Sequence, residues 1–425
     1  MWKATVVLIG MLVIRLPEVY PPIVRIRPSI LAGTVIGILM LQHVKARAWR
    51  AVLGQPAVRW LAVYLGVIII TIPFSLWPGG AANSLYALPF FGLLFVSILM
   101  CPPTREMLDR LVRWSVLLGG VYAAYVMVFG HVYQDGLGGP RLGGAGMYDP
   151  NDLAVLMVIV LQLALGLVLR DRGLWRLISI AAAVAALVVA LKTGSRGGVV
   201  ALGVSTFTLL LGQKPARFFA LSGVIAVAIP LMWMFGPESF RVRTASLLNI
   251  QNDYTFQTDA GRWIIWQRGL GYFAHRPLIG VGPAGYGLRE GEYFASHGRT
   301  GAWLTAHNTY IQVLVELGIF GAIALAGMIW VAVRNALPLW RRPPPNAPDR
   351  LYRPEIFAAL IGFLAAATFL SHAYNPLLFF SLSLATYAGA VYQAERGGGV
   401  PRGGRVPHAR RRGIARAPVR AVTSG

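Results

Sequence analysis

Three short polar clusters stand out in this apolar chain, because their residues suit chemistry on a phosphorylated substrate. The first is the stretch KTGSRGG at 192–198. Its glycines let backbone N–H groups approach a ligand, and the N-terminus of the helix that follows favours an anion. Arg196 is suited to bind phosphate oxygens, with Lys192 and Ser195 as candidate substrate-binding neighbours. A tight turn whose arginine extends to lipid headgroups explains the same residues equally well.

The second cluster is Gly261-Arg262-Trp263, with Arg268 further along. Arg262 is a candidate for a second phosphate-binding arginine, and Arg268 is a candidate substrate-binding residue. A surface helix with membrane-interface aromatics is the alternative, and the residues alone favour it. The apolar spacing from residue 262 to 270 predicts a helix, and the prolines and glycines at 277–287 predict a loop.

The third cluster is His307-Asn308-Thr309-Tyr310, which leads directly into an apolar segment. A histidine titrates near neutrality, so His307 is a candidate general base toward a hydroxyl. Asn308 and Tyr310 are candidate substrate-binding residues. The alternative is a histidine that caps a helix or lies at the membrane interface.

A fourth polar patch, Asp149-Pro150-Asn151-Asp152, precedes another apolar segment. Asn151 is a candidate substrate-binding residue. Capping of the following helix by Asp149 or Asn151 is a strong alternative, because both residue types are favoured at that position.

The composition identifies the protein class. The chain has 425 residues, of which 56% are hydrophobic and 13% charged, and its mean hydropathy is +0.60. An ordinary globular domain carries about 25% charged residues. We therefore predict an integral membrane protein and exclude a disordered chain, a soluble enzyme and a secreted disulfide scaffold. Cys101 is the single cysteine and has no partner for an internal disulfide.

Apolar segments long enough to span a bilayer predict an all-α polytopic membrane protein with about 12 transmembrane helices. The predicted domains are transmembrane helices 1–9 in 1–235, a helical cap at 236–306, helices 10–12 in 307–395, and a disordered basic tail at 396–425. The predicted spans are 4–18, 28–44, 57–76, 85–101, 111–130, 151–169, 174–191, 197–212, 216–235, 309–333, 355–371 and 376–394.

The formal net charge of +23 is consistent with nucleic-acid binding, an anionic substrate or a membrane orientation signal. An N-terminus on the inside collects most of the 39 lysines and arginines on one side. Both termini are then cytoplasmic, and the cap, Arg196, Arg262 and His307 are on the outer side. This division predicts membrane lipids, and no nucleic acid, as partners of the basic surface.

In this order, the motifs resemble the O-antigen ligase family. The quoted motifs are joined by RPLIGVGP at 276–283, by HNTYIQ at 307–312 and by Glu316-Leu317-Gly318. The resemblance implies a GT-C-like glycosyltransferase of the bacterial inner membrane that needs no metal or other cofactor. Its donor would be a glycan linked to undecaprenyl diphosphate, used at the periplasmic face.

The resemblance also implies roles for individual residues. Arg196 and Arg262 would bind the diphosphate, and His307 would deprotonate or orient the acceptor hydroxyl, with inversion at the anomeric carbon. Lys192, Arg268 and His372 are further candidates around them.

The acceptor remains open between lipid A-core, which we favour, a second repeat unit and a protein hydroxyl. A polysaccharide exporter is a weaker alternative, because the ionisable residues concentrate at helix ends and in the cap, away from a midplane pathway.

Overall fold

The computed structural model describes residues 2–14, 27–84, 86–134, 139–144, 148–246, 259, 261–299, 303–341 and 352–396. The predicted basic tail lies outside these residues, except for Arg396. So does the end of the first predicted span, beyond residue 14. The described chain is predominantly helical, and it also contains one antiparallel pair of two-residue strands.

The first part of the chain forms seven helices. They are α1 (Trp2–Ile14), α2 (Pro28–His43), α3 (Ala46–Leu53), α4 (Pro56–Thr71), α5 (Pro78–Ser84), α6 (Leu88–Leu99) and α7 (Arg105–Phe129). A 3₁₀ turn at Ile72–Phe74 follows α4. Strand β1 (Val132–Tyr133) then pairs antiparallel with β2 (Arg141–Leu142).

Ten further helices complete the described chain. They are α8 (Pro150–Arg170), α9 (Leu174–Lys192), α10 (Arg196–Leu211), α11 (Pro215–Phe235), α12 (Glu238–Ser246), α13 (Arg262–His275), α14 (Gly285–Ser296), α15 (Thr309–Trp340), α16 (Pro354–Ala366) and α17 (Pro376–Arg396).

Each predicted span contains a helix, and the multi-pass helical architecture is confirmed. Within the described ranges, eight helices are long and apolar enough to cross a membrane, or nine if the pair α2 and α3, bent by 115°, is one span. The apolar helices of α1, α10 and α16 are shorter than this limit. The number of twelve spans therefore stays a prediction.

Three helices, α8, α10 and α16, pack against one another and connect the two ends of the molecule. Helix α8 has 21 residues, so it is about 30 Å long, which matches the hydrocarbon thickness of a bilayer. Gly198 allows α8 and α10 to meet, because a Cβ there would lie 2.6 Å from the Ala154 methyl group. The glycine at 198 therefore serves helix packing, and its N–H is used by Ser195.

The segment 236–306 contains α12, α13 and α14. A second apolar core joins α13 and α14 to α15 through Ile265, Tyr286 and Val315. The predicted helix at 262–270 is confirmed as part of α13. The predicted loop at 277–287 ends earlier than expected, because α14 already begins at Gly285. The outer location of this segment stays a prediction.

Helix α15 is interrupted at Gly318, which has φ 66° and ψ −164°. The loop 277–284 lies against this break: Ile319 N donates to Pro277 O at 2.8 Å, and Val281 N donates to Val315 O at 2.9 Å. A Cβ at Gly318 would lie 2.2 Å from Leu278 O. Glycine is therefore required at position 318. The motif at 276–283 and the motif at 316–318 contact each other directly.

Candidate active site

The loop 367–375, between α16 and α17, connects the elements of the candidate site. Ser371 Oγ accepts a hydrogen bond from His307 N at 2.9 Å. Phe369 lies against Gly197 on α10, and its ring centroid is 6.5 Å from that of Trp266 on α13. The same loop thus contacts the segments that carry His307, Arg196 and Arg262.

His307 lies in a strained backbone conformation at the entrance to α15. Its φ is 46°, a left-handed value that is uncommon for a residue other than glycine. Strain of this kind persists where the surrounding structure fixes the chain, and it is concentrated at functional sites. The side chain is half-buried, and its Nε2 is 3.4 Å from Thr305 Oγ1.

The environment of His307 lowers the pKa of its imidazole to about 4, because burial and then the nearby charge of Arg262 disfavour the imidazolium. The His307 imidazole is therefore in its neutral form at pH 7. Trp266, one turn after Arg262, donates from Nε1 to Ala306 O at 2.9 Å and ties α13 to the residue before His307.

Arg196 is the first residue of α10, and Ser195 caps this helix by accepting from Gly198 N at 3.1 Å. The Arg196 side chain is half-exposed and donates from Nη1 to Ser246 Oγ at 3.5 Å. Gly194, at φ 56°, makes the turn that brings Arg196 to this position. Lys192 is exposed at the end of α9, and its role stays a prediction.

Asn151 positions the turn before α10. Its Oδ1 accepts from Ser195 Oγ at 2.9 Å and from Arg141 Nη2 at 2.9 Å. Arg141 also donates from Nε to Thr193 O at 2.9 Å. The amide oxygen of Asn151 and the hydroxyl of Ser195 are therefore engaged inside the protein. Their predicted contact with substrate has no direct support from this geometry.

Asp149 caps α8 by accepting from the backbone N–H groups of Asn151 and Asp152, as the capping alternative predicts. Asp152 is thereby placed to contact His372, and Asp152 Oδ1 and His372 Nε2 are 2.6 Å apart. His372 is buried and stacks on Phe363. Its backbone N–H donates to Thr309 Oγ1 at 2.9 Å, so this pair supports the start of α15.

The structure gives three other predicted site residues local partners. Arg268 forms an ion pair with the buried Glu290 and lies over the Tyr293 ring, 4.6 Å from its centroid. Asn308 caps α15 by accepting from Tyr310 N at 2.9 Å, and Tyr310 donates from its hydroxyl to Leu364 O at 2.8 Å. These contacts organise the cap and the helix ends around the site.

Two sequence comparisons identify relatives of the chain. Residues 181–326 match the sequence profile of a family described as O-antigen ligase. The exopolysaccharide production protein ExoQ of Rhizobium meliloti (strain 1021) is 26% identical over 314 residues, which cover 67% of this chain and 66% of ExoQ. Over residues 181–326 the chain is therefore similar to the O-antigen ligase family.

The segment that matches the O-antigen ligase family contains Arg196, Arg262 and His307. The structure brings the three to one end of the bundle. Arg141, Asp152 and His372 lie outside the matched segment and complete the hydrogen-bond network there. Sequence reasoning missed Arg141 altogether. It noted Asp152 only within a capping patch, because nothing in the local pattern indicates a partner 220 residues away.

Among the described residues, no three His, Cys, Asp or Glu side chains come together as potential metal ligands. The positively charged side chains at this end include arginines from α10 and α13. Their roles, and transfer without a metal, stay predictions that the following proposal uses.

Proposed function

We propose that this protein is a membrane glycosyltransferase that moves a glycan from undecaprenyl diphosphate to an acceptor hydroxyl. The observation that carries the proposal is the strained, half-buried His307, which Trp266 ties to α13, the helix that begins with Arg262, at the end of the bundle where α10 begins with Arg196. Transfer from a diphosphate requires a proton acceptor for the attacking hydroxyl and positive charge for the leaving group. The match of residues 181–326 to the O-antigen ligase family supports the same class of reaction.

In the proposed reaction, the acceptor oxygen attacks the anomeric carbon from the face opposite the diphosphate. A new carbon–oxygen bond forms, the bond to the diphosphate oxygen breaks, and the configuration inverts. The hydroxyl proton passes to the His307 imidazole. The electron pair of the broken bond leaves with undecaprenyl diphosphate, whose charge Arg196 and Arg262 stabilise in place of a metal ion.

For the acceptor, we propose ligation of an O-antigen to lipid A-core, in line with the description of the matching family. Polymerisation of glycan repeat units is the second candidate, because the relative ExoQ is described as an exopolysaccharide production protein. Transfer to protein hydroxyls shares the donor and is a third candidate. The residues described above act on the donor and the transferred proton, so they are compatible with each acceptor.

The deciding experiment is transfer in vitro with purified protein and an undecaprenyl-diphosphate glycan. Lipid A-core, a second donor molecule and a hydroxyl-bearing peptide are offered as acceptors in parallel reactions. Consumption of one acceptor identifies the reaction. His307→Ala should retain donor binding and lose turnover, so wild-type rates in that variant would remove His307 from the mechanism.

The proposal also places the His307 end at the periplasmic face of the bacterial inner membrane. Cys101 is the single cysteine, so Cys101→Ser gives a background for labelling. In intact cells with a permeable outer membrane, an impermeant maleimide should label Ser296→Cys, on the exposed end of α14, and leave Lys214→Cys unlabelled. The opposite labelling pattern would contradict the proposed orientation.

A further inference from the structure

A cavity of about 500 Å³ lies at the end of the bundle opposite His307. Its walls include the end of α8, the turn between α10 and α11, and the start of α16. Helix α8 begins at the candidate active site and ends at Arg170 in this cavity, so about 30 Å separate the two places. The cavity, which we call the basic cavity, is therefore a separate feature of the molecule.

The walls of the basic cavity are strongly cationic. Six of the lining residues carry positive charge: Arg105, Arg170, Arg172, Arg176, Lys214 and Arg217. Two lining residues are acids, and each already has a close arginine. Asp171 accepts from Arg113 Nε at 2.8 Å and Nη2 at 3.0 Å, and Glu355 accepts from Arg170 Nη1 at 2.6 Å.

Further donors face the same space. Helices α11 and α16 begin at Pro215 and Pro354, next to or within the cavity wall, and the residues before them provide no side-chain cap. A helix N-terminus presents backbone N–H groups and the positive end of the helix dipole. In addition, Arg170 Nη2 is buried and finds no hydrogen-bond acceptor within the described chain. A buried donor of this kind is costly unless a ligand or water satisfies it.

We propose that the basic cavity binds a phosphate-bearing anion, with the headgroup of an anionic phospholipid as its source. Arg172, Arg176, Lys214 and Arg217 are exposed and can reach a headgroup, while Arg170 lies deeper in the wall. Leu174 and Leu177 are exposed beside them, on the first turn of α9, where acyl chains would lie. Basic pockets between membrane helices are known to suit anionic lipid headgroups.

The test uses the purified full-length chain and native mass spectrometry. The probes are dioleoyl phosphatidylglycerol, zwitterionic dioleoyl phosphatidylcholine and inorganic pyrophosphate. The cavity variant combines Arg172→Gln, Arg176→Gln, Lys214→Gln and Arg217→Gln. The control variant combines Lys45→Gln, Arg47→Gln, Arg50→Gln and Arg59→Gln, which removes the same residue types from exposed positions outside the cavity wall.

We expect the wild-type chain to prefer phosphatidylglycerol over phosphatidylcholine. The cavity variant should bind phosphatidylglycerol about tenfold more weakly or worse, and the control should stay within about twofold of wild type. Equal losses in both variants, or none in the cavity variant, would overturn the proposal. Loss of pyrophosphate binding alone would overturn the lipid as source and assign the cavity to a soluble phosphate compound.

A milder variant, Arg172→Gln with Arg217→Gln, keeps the test valid if the fourfold variant does not fold. Both side chains are exposed, so helicity and the melting temperature should match those of the wild type. A folded double variant with unchanged phosphatidylglycerol binding would count against the basic cavity as the lipid site.

Discussion

The two ends of α8, α10 and α16 use charge in different ways. At the Arg170 end, buried or half-buried arginines form ion pairs with carboxylates: Arg170 with Glu355 at 2.6 Å, and Arg353 with Asp109 at 2.8 Å. At the His307 end, Arg196 donates to the Ser246 hydroxyl, and the amide oxygen of Asn151 accepts from Ser195 and Arg141. Ion pairs with carboxylates therefore join α8 to α16 at the Arg170 end, whereas at the His307 end Arg196 begins α10 and donates to a hydroxyl group.

In these helices, the residues that stabilise the fold and the residues proposed to act in catalysis therefore lie at opposite ends. A buried arginine that loses its carboxylate leaves an uncompensated charge, so such pairs are sensitive to removal of one partner. Positive charge that serves a leaving group has the opposite requirement, because it must remain able to bind the substrate. We expect substitutions at the two ends to affect different measurements.

The largest expected effect is on catalysis at the His307 end. Arg196→Ala and Arg262→Ala should each lower the transfer rate by about 10²–10³-fold, because each removes positive charge from the departing diphosphate. The rate is measured with purified donor and the acceptor identified as above. Arg47→Ala, which removes an exposed arginine elsewhere, is the matched control and should keep the wild-type rate. Wild-type turnover in both variants would contradict the proposed roles of Arg196 and Arg262.

The second effect is on stability at the Arg170 end. Glu355→Gln should lower the free energy of unfolding by about 3 kcal/mol, because Arg170 would keep its charge without a carboxylate. Glu292→Gln is the control: its side chain is 58% exposed in a pair with Arg289, and the expected loss is below about 0.5 kcal/mol. Denaturant unfolding in detergent measures both. Equal losses in the two variants would contradict the distinction between buried and exposed pairs.

A smaller effect tests the pair that supports the start of α15. Asp152→Asn should lower turnover about tenfold with donor binding preserved, because His372 loses the carboxylate that orients it, and its backbone N–H supports Thr309 at the start of α15. Asp149→Asn is the control, since asparagine also caps a helix and the variant should turn over normally. If Asp152→Asn matched that control, the pair would have no part in positioning His307.

The smallest effect concerns the protonation of His307. Its pKa, about 4, is held low by burial and by the charge of Arg262. Removal of that charge in Arg262→Gln should raise the pKa, while burial keeps it below the ordinary value of about 6.5. Histidine NMR titration, with His307→Gln to assign the signal, measures the change. An unchanged or lower pKa in Arg262→Gln would show that Arg262 does not act on His307.

The sequence predicted the helices well, because an apolar segment of sufficient length is a local signal. It also predicted that Arg196 and His307 lie at helix ends, since both adjoin such segments. The partnership of Asp152 with His372 was not predictable, because it depends on how α8 packs against the loop 367–375. Arg141 has no distinguishing local pattern, because its role depends on its hydrogen bond to Asn151 in the folded chain.

In the sequence, only the motif at 316–318 marks the position of the break in α15. The residues Glu316-Leu317-Gly318 continue an apolar helical pattern, so periodicity alone predicts an uninterrupted helix. The structure shows that the loop 277–284 occupies the space beside this glycine. Such a contact joins positions that are about 40 residues apart, and no helical or strand period reports it. The start of α14 at Gly285 differs from the predicted loop because glycine is more typical of turns than of helices.

Because α8, α10 and α16 connect the two ends, the activity of the protein should depend on the thickness of the bilayer. If the ion pair of Arg170 and Glu355 lies at one membrane surface, the length of α8 fixes the distance between His307 and that surface. A bilayer with longer acyl chains would then draw the lipid diphosphate away from Arg196, while a matched bilayer of about 30 Å would bring the two level. We therefore expect turnover in reconstituted membranes to peak at one acyl-chain length, with folding unchanged on either side.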